Sequence, residues 1–519
     1  MSKEMKERVE RLRDAKNKAL LGGGLEKIER HHHKGKLTAR ERIDYLLDPE
    51  SFVEFNLLAG HAAGNPGDGI LTGYGTINGK TVCLYAQDAT VLGGSIGVLH
   101  GYKMYKTVER ALDMGVPVIG LLDSPGARAP KADEPWMETS TTEKSGSAIF
   151  FPNTEASGVI PQIAGIMGSC AGISVYSPAL MDFIFMVDDT SHMFITGPRV
   201  AKSVTYEDIS MDDLGGAKVH CQLSGVADLR AQDDKECLEK IKKLLSFLPS
   251  NCNELSPIIE TDDDPARLID EFEDIVPDDP AKPYDMHKVI LLLVDNEDFY
   301  EIKAEFAPEI IVGFGRLAGQ TIGIVANQPM SYGGALTINS SRKQARFIRI
   351  CDSFNIPIIL LVDTPAYAPG SEQEHGGIIC HGAKVLYALC EAVVPRIGVI
   401  LHKCYGGGGL GMGVAPGLGT DIIFAWPSTE FGVMGAKETV LLFYGAEIAK
   451  SNNPQQLLEQ KVKEYSDNQA NILTMTSTNP HIADVIEPRD TRKHVIMALK
   501  LLRGKKQIRY PKRHGNIPL

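Results

Sequence analysis

An internal duplication constrains the fold of this chain more than any other feature of its sequence. The stretch 73–82, Gly-Tyr-Gly-Thr-Ile-Asn-Gly-Lys-Thr-Val, resembles 313–322, Gly-Phe-Gly-Arg-Leu-Ala-Gly-Gln-Thr-Ile, at an offset of 240 residues. The same offset relates Asp123-Ser124-Pro125 to Asp363-Thr364-Pro365. A constant spacing between such motifs predicts two homologous domains rather than a solenoid of short repeats.

The segment between the two copies has the composition of a connector. Residues 255–285 are acidic and contain several prolines, which is typical of a linker or an exposed connection. We therefore predict an N-terminal domain over 1–260 and a C-terminal domain over 261–519. A chain of 519 residues that is 43% apolar and 23% charged has the length for two domains and the composition of a soluble globular protein.

Each half repeats the same order of predicted elements. Residues 73–88 show two alternating runs around Asn78-Gly79, which predicts a β-hairpin. Helix, strand, glycine turn, helix and strand follow, and this order favours an α/β architecture with largely parallel pairing. Ahead of the first copy, residues 3–30 predict one charged helix. The longest apolar runs, such as Val289–Val294, have the length of strands.

A glycine-rich stretch follows a predicted buried strand in the second half. Residues 403–413, Lys-Cys-Tyr-Gly-Gly-Gly-Gly-Leu-Gly-Met-Gly, come after the apolar run Ile397–Leu401. A strand that enters a glycine turn and opens a helix leaves backbone N–H groups available to an anion or a developing oxyanion. Taken alone, a flexible loop or a helix cap is the favoured interpretation. At an offset of 234 the first-half counterpart is Cys170-Ala171-Gly172-Ile173, so the two halves carry a pair of candidate sites.

A second candidate group follows a predicted buried strand in the first half. The sequence there is Asp123-Ser124-Pro125 and then Gly126, Ala127 and Arg128. Such strand ends are where α/β proteins place ligand groups, and Arg128 is a candidate partner for a phosphate. A plain turn is the alternative. Because the aspartate recurs as Asp363, we predict a structural role for it and a functional role for the residues that follow.

Several other patterns indicate structure rather than chemistry. Ser169, Cys170 and Cys404 lie near the glycine turns, but no convincing nucleophile–base set, HExxH motif or zinc spacing accompanies them. The stretch Gly73–Thr81 lacks P-loop spacing and lies in a hairpin, which excludes ATP binding there. The nine cysteines form no CxxC pair, which favours free thiols.

Charge and the chain ends exclude further classes. A net charge of −12 argues against nucleic-acid binding. No apolar run approaches membrane-spanning length and the N-terminus lacks an apolar signal core, so we expect a cytoplasmic protein. The run His31-His32-His33 predicts a solvated turn rather than a metal site. The basic stretch 503–513 predicts a solvated tail, with contact to a phosphate or a partner as the alternative.

Two oxyanion-type turns without a dedicated acid or base suit a reaction that joins two carbonyl-bearing substrates. At these residues the chain resembles the carboxyltransferase family of biotin-dependent acyl-CoA carboxylases and decarboxylases. That family includes the propionyl-CoA carboxylase β subunit, the methylmalonyl-CoA decarboxylase α subunit and transcarboxylase. The resemblance runs nearly from end to end. Its motifs are Gly35–Ile43, Ser157–Ile163, Val175–Leu180, Phe194–Pro198, Gly376–Ile379, His381–Lys384, Val433–Lys437 and His514–Leu519.

The resemblance implies a fold and a separate binding role for each domain. It implies α/β architecture with tandem duplicated crotonase-like (ClpP/crotonase) domains. The first domain would bind acyl-CoA with its thioester oxygen at Gly172 and Ile173. The second would bind carboxybiotin with its ureido oxygen at Gly407 and Gly408. Residues implied to line the substrate sites are Gly126, Ala127, Arg128, Tyr367 and Leu410.

The resemblance also implies partners. Biotin would be carried on a separate protein, because the chain has no Ala-Met-Lys-Met attachment motif and no ATP site. The expected partners are a biotin carboxyl carrier protein with a biotin carboxylase, or the membrane subunits of a sodium-coupled decarboxylase. The family active site lies between the first domain of one subunit and the second of another, commonly in a homohexamer. The net direction of the reaction stays open.

Four departures from the family pattern concern the acyl group. Ile173 replaces the usual second glycine, and Pro125 replaces a glycine. Tyr367 ends Thr-Pro-Ala-Tyr where the family has Val-Pro-Gly-Phe, and Leu410 stands at about the position where propionyl-type members often carry an aspartate. A different or bulkier acyl group is therefore an alternative. A crotonase-type hydratase or isomerase and an inactive assembly subunit are the alternatives from other classes.

Overall fold

The computed structural model describes residues 2–129, 146–277, 279, 282–468, 470–478, 480–507 and 509–518. The chain divides into two compact units, Met1–Glu254 and Leu255–Leu519. The division lies at the start of the acidic segment predicted to connect the two halves.

Unit 1 is built on a seven-stranded sheet with the order β1-β2-β3-β4-β5-β7-β9, and β6 and β8 form a separate two-stranded sheet. The first three strands pair antiparallel and the others parallel. Its strands are β1 Val53–Phe55, β2 Ile70–Ile77, β3 Lys80–Gln87, β4 Val118–Leu122, β5 Gln162–Ile166, β6 Ser169–Ala171, β7 Phe183–Val187, β8 His192–Phe194 and β9 Leu229–Ala231. Its helices are α1 Lys3–Leu20, α2 Leu25–His32, α3 Ala39–Leu46, α4 Val98–Met114, α5 Phe150–Ala156, α6 Tyr176–Leu180, α7 Pro198–Val204, α8 Met211–Gly215 and α9 Asp234–Phe247.

Unit 2 repeats this plan. Its sheet has the order β10-β11-β12-β13-β14-β15-β17, and β16 pairs with β14. Its strands are β10 Tyr300–Ile302, β11 Ile310–Leu317, β12 Gln320–Asn327, β13 Ile358–Thr364, β14 Arg396–Tyr405, β15 Ile422–Ala425, β16 Glu430–Gly432 and β17 Asp484–Val485. Its helices are α10 Phe272–Ile275, α11 Met286–Leu293, α12 Ile338–Ser353, α13 Ser371–His375, α14 Ile378–Glu391, α15 Gly406–Gly411, α16 Ala436–Ile448, α17 Pro454–Asn468, α18 Ile472–Thr478 and α19 Thr491–Leu502.

The duplication extends to individual hydrogen bonds. The predicted hairpin turn is present at Asn78-Gly79, where both residues have positive φ, as a two-residue hairpin loop requires. The carboxylate of Asp48 accepts hydrogen bonds from both turn amides. In unit 2 the turn is Ala318-Gly319, again with positive φ, and Asp295 accepts from both amides. Equivalent residues therefore carry equivalent structural roles in the two units.

The parallel strands form the centre of each unit because both of their faces are covered. Every residue of β4, β5, β7 and β13 is buried, which is the pattern of strands with helices on both faces. The alternation of strands and helices explains how the apolar runs of the sequence become these strands. No helix among the described residues is long and apolar enough to cross a membrane.

Two predicted elements differ from the structure. The charged segment 3–30 forms two helices, because the chain breaks at a glycine turn in which Gly22 and Gly24 have φ of 52° and 95°. Most of the apolar run 289–294 lies in helix α11, which buries one face in the core of unit 2. The strand prediction for this run rested on its length alone and is wrong, because a buried helix can be as apolar as a strand.

Of the two segments predicted to be solvated, the histidine run differs at His31, whereas the basic tail is mostly exposed and also contacts a helix end. His31 is buried at the end of α2, with its Nε2 3.7 Å from a carboxylate oxygen of Asp123. The basic tail lies along the C-terminus of α14. Arg509 donates to the carbonyl oxygens of Cys390 and Ala392, and Lys512 pairs with Glu391. Cations at a helix C-terminus satisfy carbonyl groups that have no partner within the helix.

Candidate functional site

The glycine stretch of unit 2 is a strand–helix junction. Strand β14 ends at Tyr405 and α15 begins at Gly406, with no side chain capping the helix. The first backbone N–H groups of a helix have no acceptor within the helix, and here these are the amides of Gly406, Gly407 and Gly408. Gly407 is exposed, whereas Gly408 is buried. The junction therefore offers donors to an anionic or carbonyl oxygen, as the sequence predicts.

Close packing explains why glycine is required along this helix. A Cβ on Gly408 would lie 2.9 Å from Thr364 Cγ2, and one on Gly409 would lie 2.8 Å from Cys404 Sγ. A Cβ on Gly411 would lie 2.4 Å from Leu336 Cδ1. Helix α15 is thus pressed against the end of β13, and the flexible-loop interpretation is wrong.

Tyr367 forms one wall beside this junction. An ideal Cβ built on Gly407 would lie 3.4 Å from Tyr367 Cδ2, and one on Gly411 would lie 2.6 Å from its hydroxyl oxygen. Burial raises the pKa of Tyr367 to about 12, so the phenol is neutral at physiological pH. Leu410 projects from the helix and is 42% exposed. Two of the four departures from the family pattern, Tyr367 and Leu410, therefore flank the glycine junction.

The turn of unit 1 follows the same plan with fewer free donors. Strand β6 leads into a 3₁₀ helix over Gly172–Val175, and Gly172 has φ of 59°, much as Gly406 has φ of 44°. The Gly172 N–H donates to Ile195 O at 3.1 Å. The Ile173 N–H, at the second position of the 3₁₀ helix, has no acceptor within it. By backbone position Ile173 corresponds to Gly407, so Ile173 is the stronger donor candidate of the predicted pair.

A short segment crosses in front of the unit 1 turn. The Ile96 N–H donates to Gly126 O at 2.8 Å, and the Arg128 N–H donates to Ile96 O at 2.9 Å, which fixes Ala127 between them. A Cβ on Gly126 would lie 2.5 Å from Ala171 O, so only glycine allows this approach.

The same pairing recurs in unit 2. The Leu336 N–H donates to Ala366 O at 3.0 Å, and the Ala368 N–H donates to Leu336 O at 2.7 Å. Tyr367 therefore occupies the position in unit 2 that Ala127 occupies in unit 1.

Arg128 is bound within the protein. Its Nη1 donates to Asp68 Oδ1 at 2.7 Å, its Nη2 to Ser95 O at 2.8 Å and its Nε to Ser95 Oγ at 3.2 Å. Asp68 in turn accepts from the His100 N–H. The guanidinium thus joins three segments that hold Ala127 in place. Its predicted contact with a phosphate remains a prediction, and the contacts present are those of a positioning residue.

An ion network at the end of β4 was not predicted. The Asp123 carboxylate pairs with Lys36 and lies 3.5 Å from Arg42 Nη1, and Arg42 Nε donates to Asp234 at 2.7 Å. Gly168 leaves room for this network, since a Cβ there would meet the Asp123 carboxylate. The equivalent Asp363 in unit 2 lies 3.8 Å from His402 and 3.7 Å from Lys403. Both aspartates have structural contacts, as the repeat suggests.

A cationic cleft of about 380 Å³ opens beside this network in unit 1. Helix α2 and the segment after it supply its cations, and Pro125 and Ser169 supply the wall next to the glycine turn. Lys27 and Arg30 of α2 and Lys34 just after it line the cleft, and this spacing of basic residues was the signal in the sequence. The sequence pattern predicts only a charged helix over residues 3–30 and no binding site there. The residues that line the cleft include Lys27, Arg30, Lys34, Lys36, Asp123, Pro125 and Ser169.

The two cysteines beside the turns are not activated. Burial raises the pKa of Cys170 to about 12 and that of Cys404 to about 12. Both thiols are therefore protonated near neutral pH and lack the thiolate that a nucleophile needs. Their burial agrees with the predicted core role.

Comparison with known proteins extends these findings to the whole chain. The carboxyl transferase domain family matches residues 30–517. A propionyl-CoA carboxylase carboxyltransferase subunit of Haloferax mediterranei is 47% identical over 99% of this chain and 100% of its own length. A methylmalonyl-CoA decarboxylase subunit alpha of Veillonella parvula is 45% identical over 99% of each chain.

A solved structure agrees with these relatives. The transcarboxylase 12S hexamer core, solved with methylmalonyl-CoA and methylmalonic acid bound, superposes with a TM-score of 0.93 at 43% identity. The match covers 100% of this chain and 99% of the transcarboxylase chain. The predicted family and the crotonase-like α/β fold are confirmed. On its sequence, its duplicated fold and these matches, the chain belongs to the carboxyl transferase domain family of enzymes.

Proposed function

We propose that this chain is a biotin-dependent acyl-CoA carboxyltransferase that moves a carboxyl group between biotin and the α-carbon of an acyl-CoA of the propionyl-CoA/methylmalonyl-CoA class. The observation that carries the proposal is the pair of equivalent strand-end turns, each presenting backbone N–H donors. Two such turns fit a reaction in which two carbonyl oxygens develop negative charge. The full-length likeness to propionyl-CoA carboxylase and methylmalonyl-CoA decarboxylase subunits supports the choice of substrates.

Unit 1 has the features of the acyl-CoA site. The Ile173 amide is our candidate donor to the thioester oxygen as it becomes an enolate. Gly126 lies close to this turn, since a Cβ on it would lie 3.8 Å from the Ile173 nitrogen, and Ala127 follows it in the same segment. The cleft cations Lys27 and Lys34 suit the phosphates of coenzyme A, because a pyrophosphate and a 3′-phosphate need several positive charges nearby. Arg128, predicted from the sequence to contact a phosphate, is here assigned the role of holding the segment that carries Ala127.

Unit 2 has the features of the biotin site. When bound, biotin carries the carboxyl group and supplies the nitrogen that exchanges a proton with the acyl α-carbon. The ureido oxygen is a hydrogen-bond acceptor, and the amides of Gly407 and Gly408 are donors, so the residues present fit it. The neutral phenol of Tyr367 and the side chain of Leu410 supply less polar surroundings on either side of the donors. Such surroundings strengthen hydrogen bonds to a developing charge.

Assembly and partners follow from the same proposal. We expect a homo-oligomer, a hexamer as in transcarboxylase 12S, together with a separate biotin carrier protein. Helix α16 supports assembly, because the adjacent residues Leu442 and Phe443 are 66% and 73% exposed, and Leu441 and Tyr444 on either side of them are 42% exposed. Contiguous apolar side chains of this kind mark protein–protein contacts. The remaining partner is either a biotin carboxylase or a set of membrane decarboxylase subunits, and it sets the net direction.

The test is a transfer assay with purified protein. The chain is incubated with free biotin and a panel of malonyl-type CoA esters that includes methylmalonyl-CoA. Decarboxylation is measured as the amount of decarboxylated acyl-CoA that forms. We expect biotin-dependent turnover of methylmalonyl-CoA. Absence of turnover on every ester with intact CoA binding would instead support an inactive assembly subunit. Turnover only of longer or branched esters would move the substrate class away from propionyl-CoA.

A further inference from the structure

A histidine lies at the floor of the cationic cleft of unit 1. His31 stands between Lys27, Arg30 and Lys34 at the spacing of adjacent turns of a helix, and all four residues line the cleft. The three basic residues are exposed, whereas the His31 side chain is only 10% exposed. The cations therefore lie at the mouth of the cleft, and the imidazole ring lies below them.

The carboxylate beside the His31 ring is already engaged by other groups. His31 Nε2 lies 3.7 Å from Asp123 Oδ2, which is beyond hydrogen-bond distance, and Lys36 pairs with the same oxygen. Arg42 Nη1 lies 3.5 Å from that oxygen as well. Asp123 is thus shared by two cations, and among the described residues no hydrogen bond holds the His31 ring.

The groups around the ring keep it neutral. Burial, and after it the Lys36 cation, hold the pKa of His31 below its usual value of 6.5, and Asp123 opposes this only in part. The ring is therefore uncharged near pH 7. The charged and titratable groups on the surrounding elements are Lys27, Arg30 with its partner Glu26, Lys34, Lys36, Asp88 after β3, Arg42 of α3 with its partner Asp234, Asp123 at the end of β4, and His192 with Asp212 beyond Ser169 of β6.

A phosphate group in the cleft would change this balance. A phosphate monoester carries about −1.5 to −2 charges at pH 7. An anion within about 4–6 Å of an imidazole favours its protonated form. The imidazolium ion has two N–H donors, so Nε2 can donate towards Asp123 while Nδ1 donates to a phosphate oxygen. Hydrogen bonds between two ionised groups are shorter and stronger than neutral ones, which offsets the burial of the charge.

We propose that His31 takes up one proton from solvent when a phosphate group of coenzyme A enters the unit 1 cleft, and that the ring then becomes a ligand of that phosphate. This inference rests on the proposed function, because it takes the acyl-CoA to bind with its phosphates in this cleft. His31 is thereby a specificity residue of the acyl-CoA site. It adds a charge-assisted hydrogen bond to ligands that carry a phosphate and none to thioesters that lack one.

The proton gives the acyl-CoA affinity a pH dependence of defined sign. Between the pKa of His31 in the free protein and its pKa in the complex, binding consumes a proton, so the dissociation constant rises with pH. One proton allows a rise of at most about tenfold per pH unit. The 3′-phosphate acts in the opposite direction, but only near its own pKa of about 6. Lys36 is a second candidate for the proton, because burial lowers its pKa as well.

The experiment is a calorimetric titration of the full-length chain with propionyl-CoA near pH 7.5. Two buffers of different ionisation enthalpy give the number of protons taken up. We expect roughly 0.5 to 1 proton per site in the wild type and close to none in His31→Gln. From about pH 7 to 8.5 the dissociation constant should rise about five- to tenfold in the wild type and less than about twofold in the variant. His33→Gln, at an exposed neighbour that does not line the cleft, is the matched control and should behave as the wild type.

Two analogues of the ligand identify the phosphate. Propionyl-pantetheine has no phosphate and should bind more weakly, without proton uptake. Propionyl-dephospho-CoA lacks only the 3′-phosphate. Loss of uptake with this analogue assigns the His31 contact to the 3′-phosphate, whereas retention assigns it to the pyrophosphate.

A second measurement needs no variant. Exchange of the imidazole C2 hydrogen for deuterium reports the protonation of each histidine, and fragment ions in mass spectrometry separate His31 from His32 and His33. We expect the pKa of His31 to rise when propionyl-CoA is bound.

The inference is overturned if proton uptake persists in His31→Gln, if propionyl-pantetheine causes the same uptake, or if propionyl-CoA leaves the pKa of His31 unchanged. Biotin-dependent transfer together with any of these results would leave the proposed function standing. Proton uptake that depends on His31, without transfer on any ester, would contradict the proposed function and leave this inference standing. A chain that does not bind propionyl-CoA at all would contradict both.

Discussion

At the scale of single residues, the proposed function assigns the stabilisation of developing charge to backbone amides, and side chains hold these amides in position. Gly407 is the clearest case, because it is exposed at the first turn of α15 and its would-be Cβ makes only ordinary contact with Tyr367. Gly408, one residue further, has no such room. A substitution at Gly407 can therefore remove the N–H donor without a steric clash, whereas any side chain at Gly408 would clash with Thr364.

Gly407→Pro is expected to abolish carboxyl transfer, by about a hundredfold or more, while sparing acyl-CoA binding. Proline fits the first turn of a helix and removes only the N–H donor. Gly407→Ala keeps the donor and is the matched control. Transfer is measured with methylmalonyl-CoA and biotin, and binding by calorimetry with propionyl-CoA. Loss of CoA affinity in the proline variant would show that the roles assigned to the two units are wrong.

Arg128 is the positioning residue of unit 1, and its removal has a thermodynamic cost. Its ion pair with Asp68 is largely buried, with 24% and 6% of the two side chains exposed. Arg128→Met leaves the Asp68 carboxylate without its partner and is expected to destabilise unit 1 by about 3 kcal/mol. Denaturant unfolding of the single and double variants with Asp68→Asn measures the coupling. A coupling energy near zero would mean that the pair does not hold this segment.

Two buried lysines at equivalent positions give a pH dependence. Burial lowers the pKa of Lys103 and of Lys343, each from 10.5 to about 8. Their amino groups donate to loop carbonyls, Lys103 to Gly67 O and Lys343 to Phe306 O. The unfolded chain then binds more protons than the folded one between about pH 8 and 10.5.

Because burial favours the neutral form of both lysines, their contribution to the free energy of unfolding is largest above pH 10.5, the pKa of lysine in the unfolded chain. This contribution is lost as the pH falls through about 8, the pKa of the two lysines in the folded protein. The free energy of unfolding, measured by urea titration from pH 7 to 10, should rise with pH. Lys343→Met should flatten that slope for unit 2. The exposed Lys202→Met serves as control and should leave it unchanged. A slope that is identical in all three proteins would contradict the proposed origin.

At the scale of elements, the chain end stabilises a helix terminus. The tail after α19 supplies Arg509, which donates to carbonyls at the C-terminus of α14. This contact complements the helix dipole where α14 leaves carbonyl groups unpaired. Helix α14 therefore makes terminal contacts with a residue that lies more than a hundred positions further along the sequence.

Arg509→Gln is expected to lower the stability of unit 2 by about 1 kcal/mol. The reason is the loss of a charged donor at the carbonyls of Cys390 and Ala392. Thermal unfolding monitored by circular dichroism provides the measurement, with the exposed Arg13→Gln on α1 as control. Equal melting temperatures for the two variants would show that the tail contributes nothing to α14.

At the scale of the whole molecule, exposed apolar side chains connect the fold to assembly. The side chains of Leu442 and Phe443 on α16 are mostly exposed in the single chain. Phe443→Asp is expected to shift the chain from an oligomer to smaller species, because a charge would be buried in the contact. Light scattering coupled to size-exclusion chromatography measures the mass. Met114→Asp, at an equally exposed position at the end of α4, is the control and should assemble normally.

Local patterns in the sequence determined much of this protein. The 240-residue repeat predicts two equivalent units, Asn78-Gly79 predicts the hairpin turn, and the glycines after β14 predict uncapped donors. These signals are readable because each depends on backbone geometry over a few adjacent residues. The break after α1 is a local glycine signal as well, and the charge of the segment concealed it.

Tertiary structure decided the partners of the side chains. Arg128 bonds Asp68 across 60 residues, and Ser169 reaches Asp212 only through His192, over steps of 23 and 20 residues. Burial of His31 against Asp123 depends in the same way on a distant strand end. Such pairings are set by how strands and helices pack, not by spacing along the chain. The sequence therefore determined where the donors of the site lie, and the packing of distant segments decided which side chains surround them.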